Sequence, residues 1–319
     1  MEKIKLSIIV PVYNVEQYIK KCIATLLVDG CENYEIIVVN DGTRDHSIEV
    51  VKENYNDPRI RIIEQENGGL SSARNYGIAN ARGEYVWCFD SDDWAETNCI
   101  PQIISELEGI DLLYFNCYFR NYDDNHSQEL KKLDNEAKTG MELACKGFWH
   151  PSQFYIMRKD FLETNDLHYT EGICHEDSLL TPVMIVKSNS VKCFKQPVYH
   201  YRQRGGSIMN SPVSPKRINN LLFVISGLMR FGENLPSDVR YKWGRCIAQL
   251  TNEVLMCSQR CSDIESNRKV KGFVNRNSKV FNYLIHSGKN NKFLAVSSLL
   301  FFGNLYFVYS FAYKWRYKN

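Results

Sequence analysis

The feature that most constrains this chain is an alternation, early in the sequence, between short apolar runs and segments whose apolar residues recur at helical spacing. Leu6-Ser7-Ile8-Ile9-Val10 shows no polar alternation, the pattern of a strand covered on both faces. Pro11 is expected to end its ladder. Asn14, followed by Gln17, predicts an N-cap, and Tyr18, Ile19, Cys22, Ile23, Leu26 and Leu27 then mark a buried helix face. The unit recurs. Glu35 to Val39 reads as a strand, Asp41-Gly42 as a turn and Ser47 to Tyr55 as a helix; Arg59 to Ile63, Leu70 to Ala81 and Tyr85 to Phe89 continue as strand, helix and strand. Elements of this length, alternating in this way, imply right-handed crossovers and a doubly wound, mainly parallel, Rossmann-like α/β sheet. Ligands of such sheets bind beyond the carboxyl ends of the strands.

Those ends are polar: Tyr13-Asn14, Asn40-Asp41, Glu64-Gln65-Glu66-Asn67 and Asp90-Ser91-Asp92-Asp93. A turn alone accounts equally well for Asp41-Gly42. Asp90-Ser91-Asp92 asks for more, because carboxylates crowded after the buried run Tyr85 to Phe89 repel one another unless a cation neutralises them. An all-oxygen donor set suits a hard divalent ion, Mg2+ or Mn2+. Asp93 reads as a cap for a segment starting at Trp94. Further on, Glu176-Asp177 follows His175 and precedes the apolar run Leu179 to Val186, a pattern that fits a capped helix start or a catalytic acid pair. Tyr199-His200-Tyr201-Arg202-Gln203-Arg204-Gly205-Gly206-Ser207-Ile208 places guanidinium groups beside glycines, which suits a loop closing on a diphosphate as well as an ordinary basic surface.

Four segments, Ser7 to Asn14, Val39-Asn40-Asp41-Gly42-Thr43, Asn67-Gly68-Gly69-Leu70-Ser71-Ser72-Ala73-Arg74-Asn75 and Phe89-Asp90-Ser91-Asp92-Asp93, resemble in order the signatures of glycosyltransferase family 2. The resemblance implies a GT-A fold and an inverting, metal-dependent transfer from a nucleotide diphosphate sugar, expected to be a UDP-sugar. It implies that Pro11, Val12 and Tyr13 line the nucleoside pocket, that Asp41 bonds the base or ribose, and that Arg74 and Asn75 lie beside the donor, although a plain pairing of Arg74 with a neighbouring carboxylate accounts for that arginine equally well. Asp92 becomes the direct metal ligand, with Asp90 shared between ribose and metal. Asp177 becomes the general base, with Glu176 the fallback, and Arg202 and Arg204 the diphosphate cations. His200 is a further residue that reaches toward the metal, or else a structural one.

Other classes fit less well. The turn after the first strand lacks the GxGxxG of an NAD dehydrogenase, and Pro11-Val12-Tyr13-Asn14 is not the Gly-rich phosphate loop of a sugar-phosphate nucleotidyltransferase. A catalytically inactive nucleotide-sugar-binding protein is a further alternative, against which Asp92 and Asp177 together argue. Lys plus Arg number 39 against 37 for Asp plus Glu, so no basic field points to nucleic acid. The 11 cysteines form no CxxC pair and read as buried reduced thiols, and the start of the chain lacks a secretory pattern, so a cytoplasmic location is expected.

Residues 1–210 are read as the catalytic domain, with 1–95 its nucleotide-sugar half and 96–210 its acceptor half, where short strands are expected at 111–119 and 191–201. Residues 211–319 are read as a helical extension. Within it, 293–313 carries no charge, ends among aromatics and is flanked by Lys289, Lys292, Lys314, Arg316 and Lys318. A packed terminal helix accounts for that pattern; so does a segment lying on the inner face of the cytoplasmic membrane, which suits a lipid-linked glycan acceptor.

Overall fold

The computed structural model describes residues 3–121, 127–131, 136–148, 150–203 and 213–277. It divides into two compact units, Met1–Asn210 and Ser211–Asn319.

In the first unit, β1 (Leu6–Val12), α1 (Glu16–Leu26), β2 (Tyr34–Asn40), α2 (Ser47–Asn54), β3 (Ile60–Glu64), α3 (Leu70–Asn80) and β4 (Tyr85–Cys88) follow the alternation read from the sequence. After β5 (Trp94–Ala95) and α4 (Cys99–Ser105) come β6 (Leu112–Phe115), β7 (Cys117–Asn121), β8 (Ser127–Lys131), α5 (Gly140–Lys146), β9 (Tyr155–Arg158), α6 (Lys159–Thr164), α7 (Glu176–Lys187), β10 (Val191–Phe194) and β11 (Tyr199–Arg202). The main sheet has the order β10-β6-β9-β4-β1-β2-β3. Strands β4, β1, β2 and β3 pair in parallel, as do β10 and β6; β9 alone runs the other way, wedged between β4 and β6. The carboxyl ends of β1 to β4 therefore share one edge.

The central strands are apolar because helices cover both faces, and Ile8, Ile9, Ile36, Ile37, Val86 and Trp87 are fully buried. α3 approaches β1 closely enough that a Cβ on Gly77 would lie 2.3 Å from Ile9 Cγ2. Only glycine permits that spacing.

Pro11 does not end β1. It lies in register with Val39, while pairing with β4 stops at Ile9, where Phe89 N donates to the Ile9 carbonyl at 2.8 Å. A proline there removes a donor only on the side the neighbouring strand has already left. Nor is Asn14 the cap of α1. Asn14 adopts the left-handed region (φ 54°), and the first amides of the helix are met from a distant loop: Ser47 Oγ accepts from Val15 N at 3.0 Å and Asp45 Oδ2 from Glu16 N at 2.9 Å. Asp93 also differs from expectation, since Trp94 opens a strand and the next helix starts only at Cys99.

A second sheet, β5-β11-β7-β8, pairs Trp94 with His200 and Ala95 with Tyr199, joining the segment after the carboxylate loop to the strand that carries Arg202. The second unit is helical over its described residues, with α8 (Pro215–Gly232), α9 (Ser237–Arg260) and α10 (Ile264–Arg276). Ser214 caps α8 through its bond from Arg217 N at 3.2 Å, and Asp263 caps α10 through its bond from Ser266 N at 2.7 Å. The segment 293–313 lies outside the described residues, among which no helix is long and apolar enough to cross a membrane.

Candidate active site

Pro11 and Val12 close β1 in a buried position, and Tyr13 emerges beyond them, 39% exposed. Beside it, the buried Asp41 is fully engaged within the protein. Its Oδ1 accepts from Gln65 Nε2 at 2.7 Å and Gly68 N at 2.8 Å; its Oδ2 accepts from Gly69 N at 2.9 Å and Asn67 Nδ2 at 3.3 Å. Four donors meet the lone-pair sites of one carboxylate. The bonds hold the loop that leads into α3, whose cap Gly69 takes φ 85°, a left-handed turn glycine adopts without strain.

Arg74, one turn into α3, is 3% exposed and splits its guanidinium fork: Nη2 donates to Asp90 Oδ1 and Nη1 to Glu176 Oε1, each at 2.8 Å. Its neighbour Asn75 clamps a backbone instead, with Nδ2 donating to Tyr169 O at 2.8 Å and Oδ1 accepting from Tyr169 N at 2.9 Å. The structure thus brings Arg74, Asp90 and Glu176 together and sets Asn75 on the segment preceding α7.

The carboxylate loop follows β4. Burial raises the proton affinity of Asp90, opposed by the charge of Arg74 and reinforced by Asp92. Asp93 is pushed well above the usual carboxylate range by burial and by Asp92 and Asp90. Asp93 is also the anchor of β11: its Oδ2 accepts from Tyr199 Oη at 2.6 Å and its Oδ1 from Arg202 N at 2.8 Å. Arg202 Nε reaches the Asp92 carbonyl at 3.0 Å, and its guanidinium lies 4.6 Å from the Trp94 ring and 5.2 Å from the Tyr18 ring. Lys21 stands 3.6 Å from the same Trp94 ring. Arg202 is therefore placed at the carboxylate loop, whereas Arg204 lies outside the described residues. His200 is stacked between Trp94 at 5.0 Å and Phe119 at 4.6 Å, with Nε2 2.9 Å from Glu96 Oε2.

At the start of α7 the two acids are treated differently. Glu176 is buried and held by Arg74. Asp177 is half-buried, accepts from Ser178 N at 2.6 Å, and is pushed up to about 7 by burial and by the adjacent Glu176. His175, which precedes them, has φ 66°. A bulky residue in the left-handed region marks a turn held by its surroundings.

The donors are right for a hard cation. Asp90 and Asp92 offer oxygen only, two residues apart on the loop that follows β4. Among the described residues no three His, Cys, Asp or Glu side chains converge as a ligand cage. An ion held here would draw on one or two carboxylates and take its remaining ligands from water and phosphate oxygens, as Mg2+ and Mn2+ commonly do.

A mainly parallel sheet with carboxylates after its fourth strand and a helical carboxyl-terminal part defines a GT-A-type protein. S. aureus TarS (residues 1–349), solved in complex with UDP-GlcNAc, has the same fold, with a TM-score of 0.72 at 18% identity over 98% of this chain and 91% of that one. The mannosyltransferase PcManGT from Pyrobaculum calidifontis, solved with GDP-Man and Mn2+, aligns with a TM-score of 0.57 at 13% identity over 99% of this chain and 88% of that one. Residues 7–179 match the family described as Glycosyl transferase family 2, and the chain belongs to that family. It is 36% identical over 220 residues to the uncharacterized glycosyltransferase EpsJ of Bacillus subtilis and 31% identical over 223 residues to the glycosyltransferase GlyA of Streptococcus pneumoniae. These alignments take in 66% and 64% of this chain but only 64% of EpsJ and 31% of GlyA.

Proposed function

We propose that this chain is an inverting glycosyltransferase that moves a sugar from a UDP-sugar to an acceptor hydroxyl, in the assembly of a polysaccharide on a lipid-linked acceptor. The observation that carries this reading is the pairing of two chemically different acidic centres on one sheet edge: the Asp90-Ser91-Asp92 loop beside Arg202, and Asp177, whose proton affinity is set near neutrality. A carboxylate near 7 is matched to taking a proton from a hydroxyl at physiological pH. Glu176, held by Arg74, is the less available member of its pair. Direct displacement by the acceptor oxygen, with Asp177 as proton acceptor, inverts the anomeric centre.

In this reading Asp177 accepts the acceptor's proton as its oxygen attacks the anomeric carbon. Arg202 and the amides around the carboxylate loop face the departing diphosphate, where a guanidinium on an aromatic ring is pre-oriented for phosphate oxygens. Asp92, with Asp90, would hold a divalent cation, which supplies charge neutralisation at the diphosphate when bound. Tyr13 is positioned to stack on the nucleobase, Pro11 and Val12 forming the floor beneath it. Asp41, saturated by its loop, shapes the pocket through Gln65 to Gly69. The TarS complex with UDP-GlcNAc supports the choice of UDP, and the basic, aromatic tail supports peripheral attachment to the cytoplasmic face of a membrane.

Thermal unfolding against a panel of UDP- and GDP-sugars, with and without Mn2+, tests this. A UDP-sugar should raise the midpoint in a Mn2+-dependent way, by mass action on the folded state. No stabilisation by any member would overturn the assignment.

A further inference from the structure

We infer that Arg74 acts on the transfer step without touching the donor: by bridging Asp90 and Glu176 it ties the amino end of α7 to the carboxylate loop and so holds Asp177 in place to accept the proton. The inference rests on the glycosyltransferase reading above. It gives Arg74 the part of a positioning residue, in place of the donor contact that the family resemblance implies.

Arg74 has each terminal nitrogen committed at 2.8 Å, one to a residue 16 positions away and the other to one 102 positions away. Burial works against its charge, which is sustained chiefly by Asp90, Tyr169 and Glu176. A cation so placed is a cross-link between the carboxylate loop and the amino end of α7. The adjacent residue makes the same connection at another point, because Asn75 grips both backbone groups of Tyr169, whose ring lies 5.2 Å from the Arg74 guanidinium. Consecutive residues of α3 thus fasten both ends of the 169–176 segment. Between these fastenings lies the left-handed turn at His175, which aims Glu176 and Asp177 and persists only if its flanks are fixed.

The chemistry of neighbouring acids gives the bridge its consequence. An acid beside another carboxylate is raised by its neighbour's charge and lowered by a cation within reach. Arg74 meets Glu176 directly. Asp177 faces Glu176 from its own helix and feels Arg74 from α3, and it is the member pushed up to about 7. Without Arg74, Glu176 is a buried acid stripped of its partner cation, and the amino end of α7 loses its tie to the carboxylate loop.

The test uses Arg74→Met, Glu176→Gln and the double variant in the full-length chain. Release of nucleoside diphosphate is followed with the UDP- or GDP-sugar that the wild-type chain hydrolyses fastest; UDP binding by calorimetry and thermal unfolding are followed in parallel. Arg74→Met should lower kcat by about 10²-fold while leaving UDP affinity within about threefold, the pattern of a group that acts in the transition state and not in donor binding. Its unfolding midpoint should fall by several degrees, because breaking a buried pair strands a charge. Adding Glu176→Gln to Arg74→Met should recover at least about tenfold in kcat and part of the lost midpoint, since the stranded acid is then gone. Glu176→Gln alone, which leaves Arg74 paired with Asp90, should fold and lose less than about tenfold, so the inference stays testable even if Arg74→Met does not fold. A double variant no better than Arg74→Met, or an Arg74→Met whose loss is in UDP affinity, would overturn the inference; so would a Glu176→Gln crippled by about 10³-fold. Asp177→Asn in the same assay separates the two levels: an active Asp177→Asn refutes the assignment of the base itself, whatever Arg74 does.

Discussion

Replacing Asp177 with Asn should cripple turnover and make the protein more stable. The side chain keeps its shape, and its Oδ1 still accepts from Ser178 N, the 2.6 Å bond seen for the carboxylate. What is lost is a charge the fold disfavours. An acid whose folded-state pKa lies above its unfolded value takes up protons on folding. Its effect is therefore nil below about pH 4, where both states are protonated. It becomes destabilising as pH rises through the window from about 4 to about 7, where the unfolded chain ionises freely and the folded one does not, and it is constant above that. A displacement from 3.8 to about 7, at about 1.4 kcal/mol per pH unit, sets a ceiling of about 4 kcal/mol. Contact of the half-buried side chain with water brings the expected gain to about 1–3 kcal/mol. Thermal unfolding of both proteins at pH 8, 6 and 4 measures it: the Asn variant should melt several degrees higher at pH 8, with the gap closing toward pH 4. Turnover should fall by about 10² to 10⁴. An Asn variant equal to or less stable than wild type at pH 8 would refute the argument that Asp177 is held against its ionisation.

Other substitutions divide the site by role. Asp92→Ala should lose Mn2+-dependent turnover with its unfolding midpoint kept, and full activity in Mn2+ would remove Asp92 from the metal site. Asp93→Ala should instead lose about 1–3 kcal/mol of stability, because it leaves the Tyr199 hydroxyl and the Arg202 amide without their buried acceptor. Asp41→Ala releases the donors of Gln65, Asn67, Gly68 and Gly69 and should raise the donor KM more than it lowers kcat; an unchanged KM would detach that loop from the donor site. Arg202→Ala should weaken UDP by about tenfold or more while leaving uridine affinity unchanged, and titration calorimetry with both ligands tests the difference.

The central sheet was legible because burial on both faces leaves unbroken apolar runs such as Ile36 to Val39, and because the residues between them repeat at helical spacing. The carboxylates after β4 stood out because charge packed against an apolar run demands an explanation, whereas Glu176-Asp177 read equally well as the helix start that the structure shows at α7. What stayed hidden depends on contacts between distant segments. Asp93 read as a local cap, yet its partners are 106 and 109 residues away. Asn14 had the composition of a cap, but Asp45 and Ser47 supplied the acceptors from a loop 29 and 32 residues on. A carboxylate partner for Arg74 was open from the sequence, but a sequence shows a helix face and not which two acids close around it. Pro11 was misread because the rule against proline in a ladder holds only where a neighbouring strand is present on that side.

The reversed strand β9 bears on how the protein is made. β4 is complete at Cys88, and the partner for its free edge, Tyr155–Arg158, emerges from the ribosome about seventy residues later. Until then β4 ends a four-stranded sheet, presenting the apolar segment Tyr85-Val86-Trp87-Cys88 with unpaired backbone groups to any strand that arrives. The same holds for β6, which reaches β4 and the strands beyond it through β9. A chain released before residue 158 would keep two open, apolar edges and aggregate. Truncations meant to isolate the nucleotide-sugar half at residue 95 therefore leave a sheet without the strand that closes it, and the shortest fragment able to stay in solution has to include β9.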